Sequence, residues 1–186
     1  MDGLWEQYSI EEIATPQAWS RDPNKVQTFY NQRRKQIIET EPNSAHILTA
    51  ALEKQFDVTV ITQNIDDLHE RAGSSRVLHL HGHIGYSKSS GPDSEKEYFP
   101  IEGYELTTED VCPSGYPLCP HVVWFGEEVP MLEVAAEIIS TAHILLVIGT
   151  SLNVYPAAGL IHVAPSNAKK IIIDPNADEL HIPSDF

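Results

Sequence analysis

Short apolar runs that alternate with helical patterns restrict the folds that this sequence can adopt. The runs are residues 57–62, 143–148 and 170–173, and they are β-branched or apolar almost throughout. Because polar residues do not alternate with apolar ones, these runs are typical of strands buried on both faces of a parallel sheet. Helical patterns at 131–141 and 156–163 surround the second run. The sequence therefore predicts an α/β fold with a Rossmann-like, doubly wound parallel sheet.

The rest of the chain predicts a smaller domain in two pieces. Up to residue 45 the sequence reads as helices, because Thr15-Pro16 and Asp22-Pro23 each place an N-cap residue before a first-turn proline. Residues 83–120 have little periodicity and are too many for a connecting loop, which indicates an inserted module. We therefore predict a main domain formed by 46–82 and 121–186, and a small, split domain formed by 3–45 and 83–120.

Charge and composition exclude several classes of protein. Lysine and arginine number 12 against 27 aspartate and glutamate residues, which gives the 186-residue chain a formal net charge of -15. A nucleic-acid partner is not expected, because phosphate contacts require clustered positive charge. No apolar run approaches the roughly 20 residues of a membrane span, and the residues after Met1 do not form a signal peptide. We expect a cytoplasmic protein whose acidic surface is solvated and solubilising, with attraction of basic partners such as lysine-rich peptides as the alternative.

Polar residues follow each predicted strand, at the edge where open parallel sheets bind ligands. They are Gln63, Asn64, Ile65 and Asp66 after the first strand, Gly149, Thr150 and Ser151 after the second, and Asp174, Pro175 and Asn176 after the third. A glycine with neighbouring hydroxyls allows the backbone to approach phosphate or ribose closely. Each signal is weak alone, but together they predict a nucleotide site.

His79, His81 and His83 alternate along the chain. In an extended strand they would share one face, where a metal cluster is conceivable, but Gly82 indicates that the strand ends at His81. A histidine at a strand end beside a polar turn suits general-base chemistry near neutral pH. These residues alone leave both a structural histidine and a general base open.

Three motifs in order resemble those of the sirtuins, the NAD-dependent protein lysine deacylases. Residues 62–69, with 72–73 and 81–82, resemble the central signature of the family. Residues 120–127 resemble its peptide-binding strand, and residues 149–159 resemble its later nucleotide loop. The resemblance extends from Gly3 to about Asn176 and therefore covers most of the chain.

The resemblance implies roles for individual residues. His81 would be the catalytic base, assisted by Asn64, and NAD would be the cofactor of the main domain. The partners would be acylated lysines of proteins, whose acyl group moves to ADP-ribose as nicotinamide leaves. The NAD residues would be Gly3, Leu4, Trp5, Gln63, Asn64, Ile65, Asp66, Gly149, Thr150, Ser151, Asp174, Pro175 and Asn176. The peptide would pair with a strand formed by Val122, Val123, Trp124, Phe125, Gly126 and Glu127.

Tyr30 and Arg33 resemble the Tyr-x-x-Arg motif of sirtuins that remove succinyl and malonyl groups. A hydroxyl and a guanidinium one helical turn apart can bind the carboxylate of such an acyl group. Without the resemblance, the alternative is that Tyr30 packs in the core and Arg33 forms an exposed ion pair. The resemblance favours recognition of an acidic acyl group.

The sequence departs from the sirtuin pattern at its ends and at its cysteines. It begins after the family's first strand and Gly-rich loop and stops before the last strand and helix, so we expect a truncated form. Residues 86–89 stand where the family has its first cysteine pair, and Cys112 and Cys119 supply only two of four zinc ligands. We therefore predict no structural zinc, with a site completed by histidines as the alternative.

Two other functions stay open at this stage. One is mono-ADP-ribosyl transfer from the same NAD site. The other is a non-catalytic remnant that binds acylated peptides or a partner without turnover, which the absence of the Gly-rich loop favours.

Overall fold

The computed structural model describes residues 8–92, 94 and 96–179. The chain forms two compact units, of which the first ends at Glu128 and the second begins at Val129. These units are continuous in sequence, whereas the predicted domains are each made of two segments. The assignment of those segments to an NAD-binding domain and a small domain stays a prediction.

The first unit carries the helices α1 (Ile10–Ile13), α2 (Pro16–Arg21), α3 (Pro23–Glu39), α4 (Ser44–Leu52) and α5 (Leu68–Arg71). Its strands are β1 (Val60–Thr62), β2 (Val77–His79), β3 (Gly82–Ser89), β4 (Tyr98–Pro100) and β5 (Leu118–Val122). The second unit carries α6 (Leu132–Ser140), β6 (Ile144–Ile148), a 3₁₀ helix (Ala157–His162), β7 (Lys169–Ile173) and a 3₁₀ turn (Ala177–Glu179). The helix predicted at 156–163 is therefore a 3₁₀ helix.

The first helices begin where the sequence predicts. The Thr15 hydroxyl accepts a hydrogen bond from the Ala18 N–H at 3.0 Å, and the Asp22 carboxylate accepts one from the Lys25 N–H at 3.0 Å. In both helices the following proline occupies the first turn, where no backbone N–H is needed. These N-cap predictions are confirmed because the signal is entirely local.

Parallel pairing is present in both units. β1 pairs with β2 and β6 pairs with β7, each as a two-stranded sheet within the described residues. The predicted burial on both faces is wrong for β6 and β7, because Ile144, Ile148 and Ile173 are exposed. Each of these strands has a neighbouring strand on one side only among the described residues, so its other edge is not covered by the sheet.

The predicted insert contains regular structure that the sequence analysis missed. An antiparallel sheet in the order β4-β3-β5 occupies much of it. β3 buries Ser87, Lys88 and Ser89. A strand with buried polar side chains lacks the apolar alternation that identifies most strands, which explains why it was not predicted.

The core of the first unit lies between α3 and this antiparallel sheet. α3 buries Val26, Phe29 and Tyr30 against apolar residues of α1, α2, β3 and β5 and against Trp124. This packing includes a polar contact: the Gln27 side chain donates a hydrogen bond to the Leu118 carbonyl at 2.8 Å. The side of α3 that carries Tyr30 is therefore fixed against the sheet.

Arg34 is a buried charged residue, with 2% of its surface exposed. Its Nε donates to the Ile84 carbonyl at 2.8 Å, and one terminal nitrogen donates to the Tyr104 carbonyl at 2.6 Å and to the Asn31 side chain at 2.8 Å. Burial lowers the pKa of Arg34 to about 10, which still leaves it charged at neutral pH. One side chain thus joins α3 to β3 and to the segment before β5.

We expect Arg34→Met to destabilise the protein by about 3 kcal/mol, because it leaves buried carbonyl groups without donors. Equilibrium unfolding in urea, followed by tryptophan fluorescence, measures this change. Gln32→Met is the matched control, since Gln32 is exposed on the same helix and its replacement should change stability by less than about 0.5 kcal/mol. Equal stability of the two variants would contradict the assigned role of Arg34.

Candidate active site

The residues that follow β1 form a tight polar loop, which we call the β1 loop (residues 63–66). The Thr62 hydroxyl accepts a hydrogen bond from the Asn64 N–H at 3.1 Å. The Asp66 carboxylate accepts one from the Leu68 N–H at 3.1 Å, which leads the chain into α5. These short-range bonds position the side chains that the sequence assigns to the nicotinamide portion of NAD.

The pairing of β1 with β2 brings His81 to the β1 loop. Thr62 is in register with His79, and the Leu80 N–H donates to the Thr62 carbonyl at 2.9 Å. β2 ends at His79, two residues earlier than the end predicted at His81, and Gly82 begins β3. Gly82 has a φ of 83°, and a Cβ at this position would collide with the His121 carbonyl. Only glycine therefore allows this turn beside β5.

Nδ1 of His81 lies 3.0 Å from the Gln63 carbonyl oxygen. A carbonyl only accepts hydrogen bonds, so Nδ1 must carry the proton, and Nε2 of the neutral ring is then unprotonated. Burial lowers the pKa of His81, and the bond to Gln63 opposes this shift in part. The arrangement fixes the tautomer in which Nε2 can accept a proton.

The segment predicted as a peptide-binding strand is mostly a turn, which corrects the strand predicted at 122–127, while its role in binding a peptide stays a prediction. β5 ends at Val122, and the Val123 N–H donates to the His81 carbonyl at 2.9 Å. The Trp124 N–H donates to the Glu127 carboxylate at 2.7 Å, and the Phe125 N–H donates to the Ala14 carbonyl at 3.0 Å. An added peptide strand cannot use these N–H groups, because they are already bonded within the chain.

Tyr30 lies in the core with 1% of its surface exposed. The Trp124 indole N–H donates to its hydroxyl at 3.2 Å. The hydroxyl accepts in this bond. Burial raises the pKa of Tyr30 well above its usual value, so the hydroxyl stays protonated. The alternative that Tyr30 packs in the core is therefore correct, and the role of Tyr30 in binding an acyl group stays a prediction.

Arg33 is half-buried and lies one helical turn from Tyr30. Its Nε is buried without a hydrogen-bond partner, and a terminal nitrogen makes only a long contact of 3.4 Å to Gln36. Among the described residues no carboxylate lies within 4.0 Å of its guanidinium nitrogens. The alternative of an exposed Arg33 ion pair is therefore wrong for this part of the chain.

A cleft of about 430 Å³ lies beside Arg33. It is lined by residues of α3 and of the segment around α5, namely Arg33, Gln36, Ile37, Glu39, Thr40, Asp66 and Leu68. The cleft thus joins the predicted acyl-binding arginine to the predicted NAD residue Asp66. The sequence analysis missed Gln36 and Thr40, although their spacing from Arg33 places them on one helical face.

The predicted NAD residues of the second unit also follow parallel strands. Ile148 is in register with Ile173, so the segments 149–151 and 174–176 leave the same edge of the β6–β7 pair. Gly149 has a φ of 60°, and the Asp174 carboxylate accepts from the Asn176 N–H at 2.8 Å. Gly3, Leu4 and Trp5 lie outside the described residues. The NAD roles of all these residues stay predictions.

The two cysteines lie beside Ser89 of β3. The Cys112 thiol lies 3.4 Å from the Ser89 hydroxyl, and the Cys119 thiol lies 4.0 Å from the Ser89 carbonyl. Both cysteines are buried, and no disulfide joins them. Tyr86, Ser87, Lys88 and Ser89 supply no thiol or imidazole, so this part of the chain does not fit a tetrahedral zinc site.

Residues 1–156 match the sequence model of the Sir2 family. The chain belongs to the Sir2 family. A relative from Bacteroides thetaiotaomicron, named NAD-dependent protein deacylase, is 51% identical over 183 residues, which cover 96% of this chain and 78% of the relative. A relative of the same name from Helicobacter pylori is 48% identical over 184 residues, covering 98% and 78%.

Solved Sir2 structures have the same fold. A mutant Sir2 homologue in complex with ADP-ribose superimposes with a TM-score of 0.85 at 37% identity, covering 97% of this chain and 76% of that one. A Sir2 homologue in complex with NAD gives a TM-score of 0.85 at 38% identity, covering 93% and 69%. A mutant Sir2 bound to a p53 peptide and NAD gives 0.72 at 28% identity, covering 91% and 76%. The predicted family and Rossmann-like α/β fold are confirmed.

Within the described residues, the Sir2 fold of this chain contains no helix that is both long and apolar enough to span a membrane. The cytoplasmic location and the absence of nucleic-acid partners stay predictions.

Proposed function

We propose that this chain is an NAD-dependent protein-lysine deacylase in which His81 is the general base. The observation that carries the proposal is the hydrogen bond from Nδ1 of His81 to the Gln63 carbonyl, which leaves Nε2 free to accept a proton. The deacylase names of relatives that are about half identical support the same activity.

The residues of the β1 loop fit NAD as a cofactor. When bound, NAD supplies a nicotinamide–ribose bond that can be cleaved and an ADP-ribose that accepts the acyl group. Asn64 and Asp66 would hold the nicotinamide ribose and carboxamide, because an amide and a carboxylate can bond hydroxyl and amide groups. Gln63, Ile65, Gly149, Thr150, Ser151, Asp174, Pro175 and Asn176 would hold the rest, and the positive φ of Gly149 supports a close backbone approach there.

His81 would remove a proton from a ribose hydroxyl so that the sugar oxygen can attack the acyl carbon. Its ring is held by Gln63 on one side, and its backbone carbonyl is held by Val123. A base whose orientation is fixed before substrate arrives loses little freedom during the reaction, which favours catalysis.

We expect His81→Ala to lose at least about 100-fold in turnover, in the range typical of general-base removal. The assay incubates the purified chain with a succinyl-lysine peptide and NAD and follows free lysine, nicotinamide and O-acyl-ADP-ribose by mass spectrometry. His143→Ala is the control, since His143 is exposed. Peptide binding should be retained in His81→Ala.

Each alternative function predicts a different product in this assay. ADP-ribose left on the peptide would replace the proposal with mono-ADP-ribosyl transfer. Peptide binding without any product in the wild-type chain would identify a non-catalytic binding protein. Unchanged turnover in His81→Ala would rule out His81 as the base.

We propose further that the acyl groups removed include succinyl and malonyl. Within the described residues the buried Nε of Arg33 has no hydrogen-bond partner, and a guanidinium with an unused donor beside a cleft is suited to a carboxylate ligand. Tyr30 lies one helical turn away and accepts a hydrogen bond from the Trp124 indole. Asp66 and Glu39 line the same cleft and would repel an acidic acyl group, so Arg33 is the group that makes its entry favourable.

We expect Arg33→Met to lower kcat/KM for a succinyl-lysine peptide about 10- to 100-fold, the equivalent of one or two charge-assisted hydrogen bonds. Activity on the acetyl-lysine peptide should stay within about threefold, because acetyl offers no carboxylate. Lys35→Met removes an exposed charge from the same helix and should affect neither substrate. An equal loss on both peptides would show that Arg33 acts through the fold rather than through the acyl group.

A further inference from the structure

Three potential metal ligands lie together on the first unit, at a position that the proposed deacylase reaction does not use. Glu70 is on α5, His79 ends β2, and His83 is on β3. One nitrogen or oxygen of each residue lies within 4.8 Å of the corresponding atoms of the other two. The sequence analysis considered His79, His81 and His83 as a metal cluster, but the structure turns His81 toward Gln63 and brings Glu70 to the other two histidines.

His79 has the orientation of a metal-binding histidine. Its Nδ1 lies 3.2 Å from the Asn64 carbonyl oxygen, and its Nε2 lies 2.8 Å from the Glu70 carboxylate. Both partners only accept hydrogen bonds, so both ring nitrogens of His79 act as donors in this arrangement, and a metal ion would take the place of the proton between Nε2 and the carboxylate. Metal-binding histidines commonly use such a carbonyl to fix the ring and the tautomer.

His83 supplies the third potential ligand. Its ring centroid lies 4.9 Å from that of His79, and the Tyr86 ring packs against its other side at 5.1 Å. Its Nδ1 accepts a hydrogen bond from the Gly85 N–H at 3.0 Å, which leaves the proton on Nε2. If Nδ1 of His83 binds the metal, the hydrogen bond from Gly85 is lost. If Nε2 binds it, the proton on Nε2 is lost instead.

We propose that Glu70, His79 and His83 form a binding site for a divalent first-row transition-metal ion. Two imidazoles and one carboxylate suit ions such as Zn²⁺, Co²⁺ and Ni²⁺ better than Mg²⁺ or Ca²⁺, which prefer sites made entirely of oxygen ligands. Three protein ligands leave at least one coordination position for water. The site is separate from Cys112 and Cys119, which are buried beside Ser89.

A bound ion would join α5, β2 and β3, the elements that lie on either side of the β1 loop. It would therefore stabilise the folded chain by an amount that rises with the logarithm of the free metal concentration above the Kd, because the unfolded chain does not hold the three ligands together. Without a metal, His79 and Glu70 form a histidine–carboxylate pair. That pair does not require His83. A loss of metal binding when His83 is replaced therefore distinguishes a metal site from a histidine–carboxylate pair alone.

The experiment uses the full chain without a histidine tag, stripped of metal by a chelator. Titration with CoCl₂ in a calorimeter, together with visible absorption spectra, should give one bound ion per chain. Glu70→Gln, His79→Asn and His83→Asn should each weaken binding more than about tenfold, the scale already seen for loss of outer-sphere partners. The exposed residues Glu133 and His143 provide the controls, and Glu133→Gln and His143→Asn should bind as the wild type does.

Added Co²⁺ should also raise the Tm of the wild-type chain, but not that of His83→Asn. If His79→Asn does not fold, Glu70→Gln still decides the question, because Glu70 is exposed. The proposal is overturned by the absence of binding, or by binding that survives all three substitutions. A thiolate-to-cobalt charge-transfer band that disappears in Cys112→Ser would assign the ion to the cysteines and would also overturn it.

Discussion

The backbone of Ile84 connects the two halves of the candidate site. Its carbonyl accepts the hydrogen bond from the buried Arg34 guanidinium, and its N–H donates to the Ile65 carbonyl at 2.8 Å. α3, which carries Arg33, and the β1 loop are therefore bonded to one residue of β3. Burial lowers the pKa of Arg34 only to about 10, so the side chain stays charged at neutral pH, and the carbonyls of Ile84 and Tyr104 accept hydrogen bonds from it. The distance between the proposed acyl and NAD residues depends on this connection.

The parts of the fold that depend on short-range chemistry could be predicted from the sequence. Thr15 and Asp22 cap their helices because the acceptor and its N–H donor are three residues apart. The strand β3 could not be predicted, since burial of Ser87 and Lys88 depends on partners far away in sequence. The same limit applies to Arg34: nothing local distinguishes it from Arg33, yet Arg34 fills the core and Arg33 lines the cleft.

The position of His81 beside the β1 loop follows from strand pairing, whereas the backbone after β5 differs from the prediction. The resemblance of motifs singled out Asn64, Asp66 and His81, whose roles stay predictions, and the register of Thr62 with His79 explains how His81 comes to contact the Gln63 carbonyl. The extended strand predicted at 122–127 was wrong because the Glu127 carboxylate bonds the Trp124 N–H and closes a turn. Such a bond competes with strand pairing, and a resemblance between sequences does not indicate which of the two is formed.

The charged groups around the β1 loop differ in whether the described residues already provide them with a partner. Glu70 lies against His79, whereas in the part of the chain that the structure describes the Arg33 Nε has no hydrogen-bond partner, and Arg33 lines a cleft with Asp66 and Glu39. Although the chain has a formal net charge of -15, Arg33 therefore offers a positive group to an anion in this cleft. The two carboxylates of the cleft limit this attraction at longer range, because they repel the same ligand. Selection of an acidic acyl group would therefore depend on direct hydrogen bonds to Arg33 rather than on the overall field of the protein.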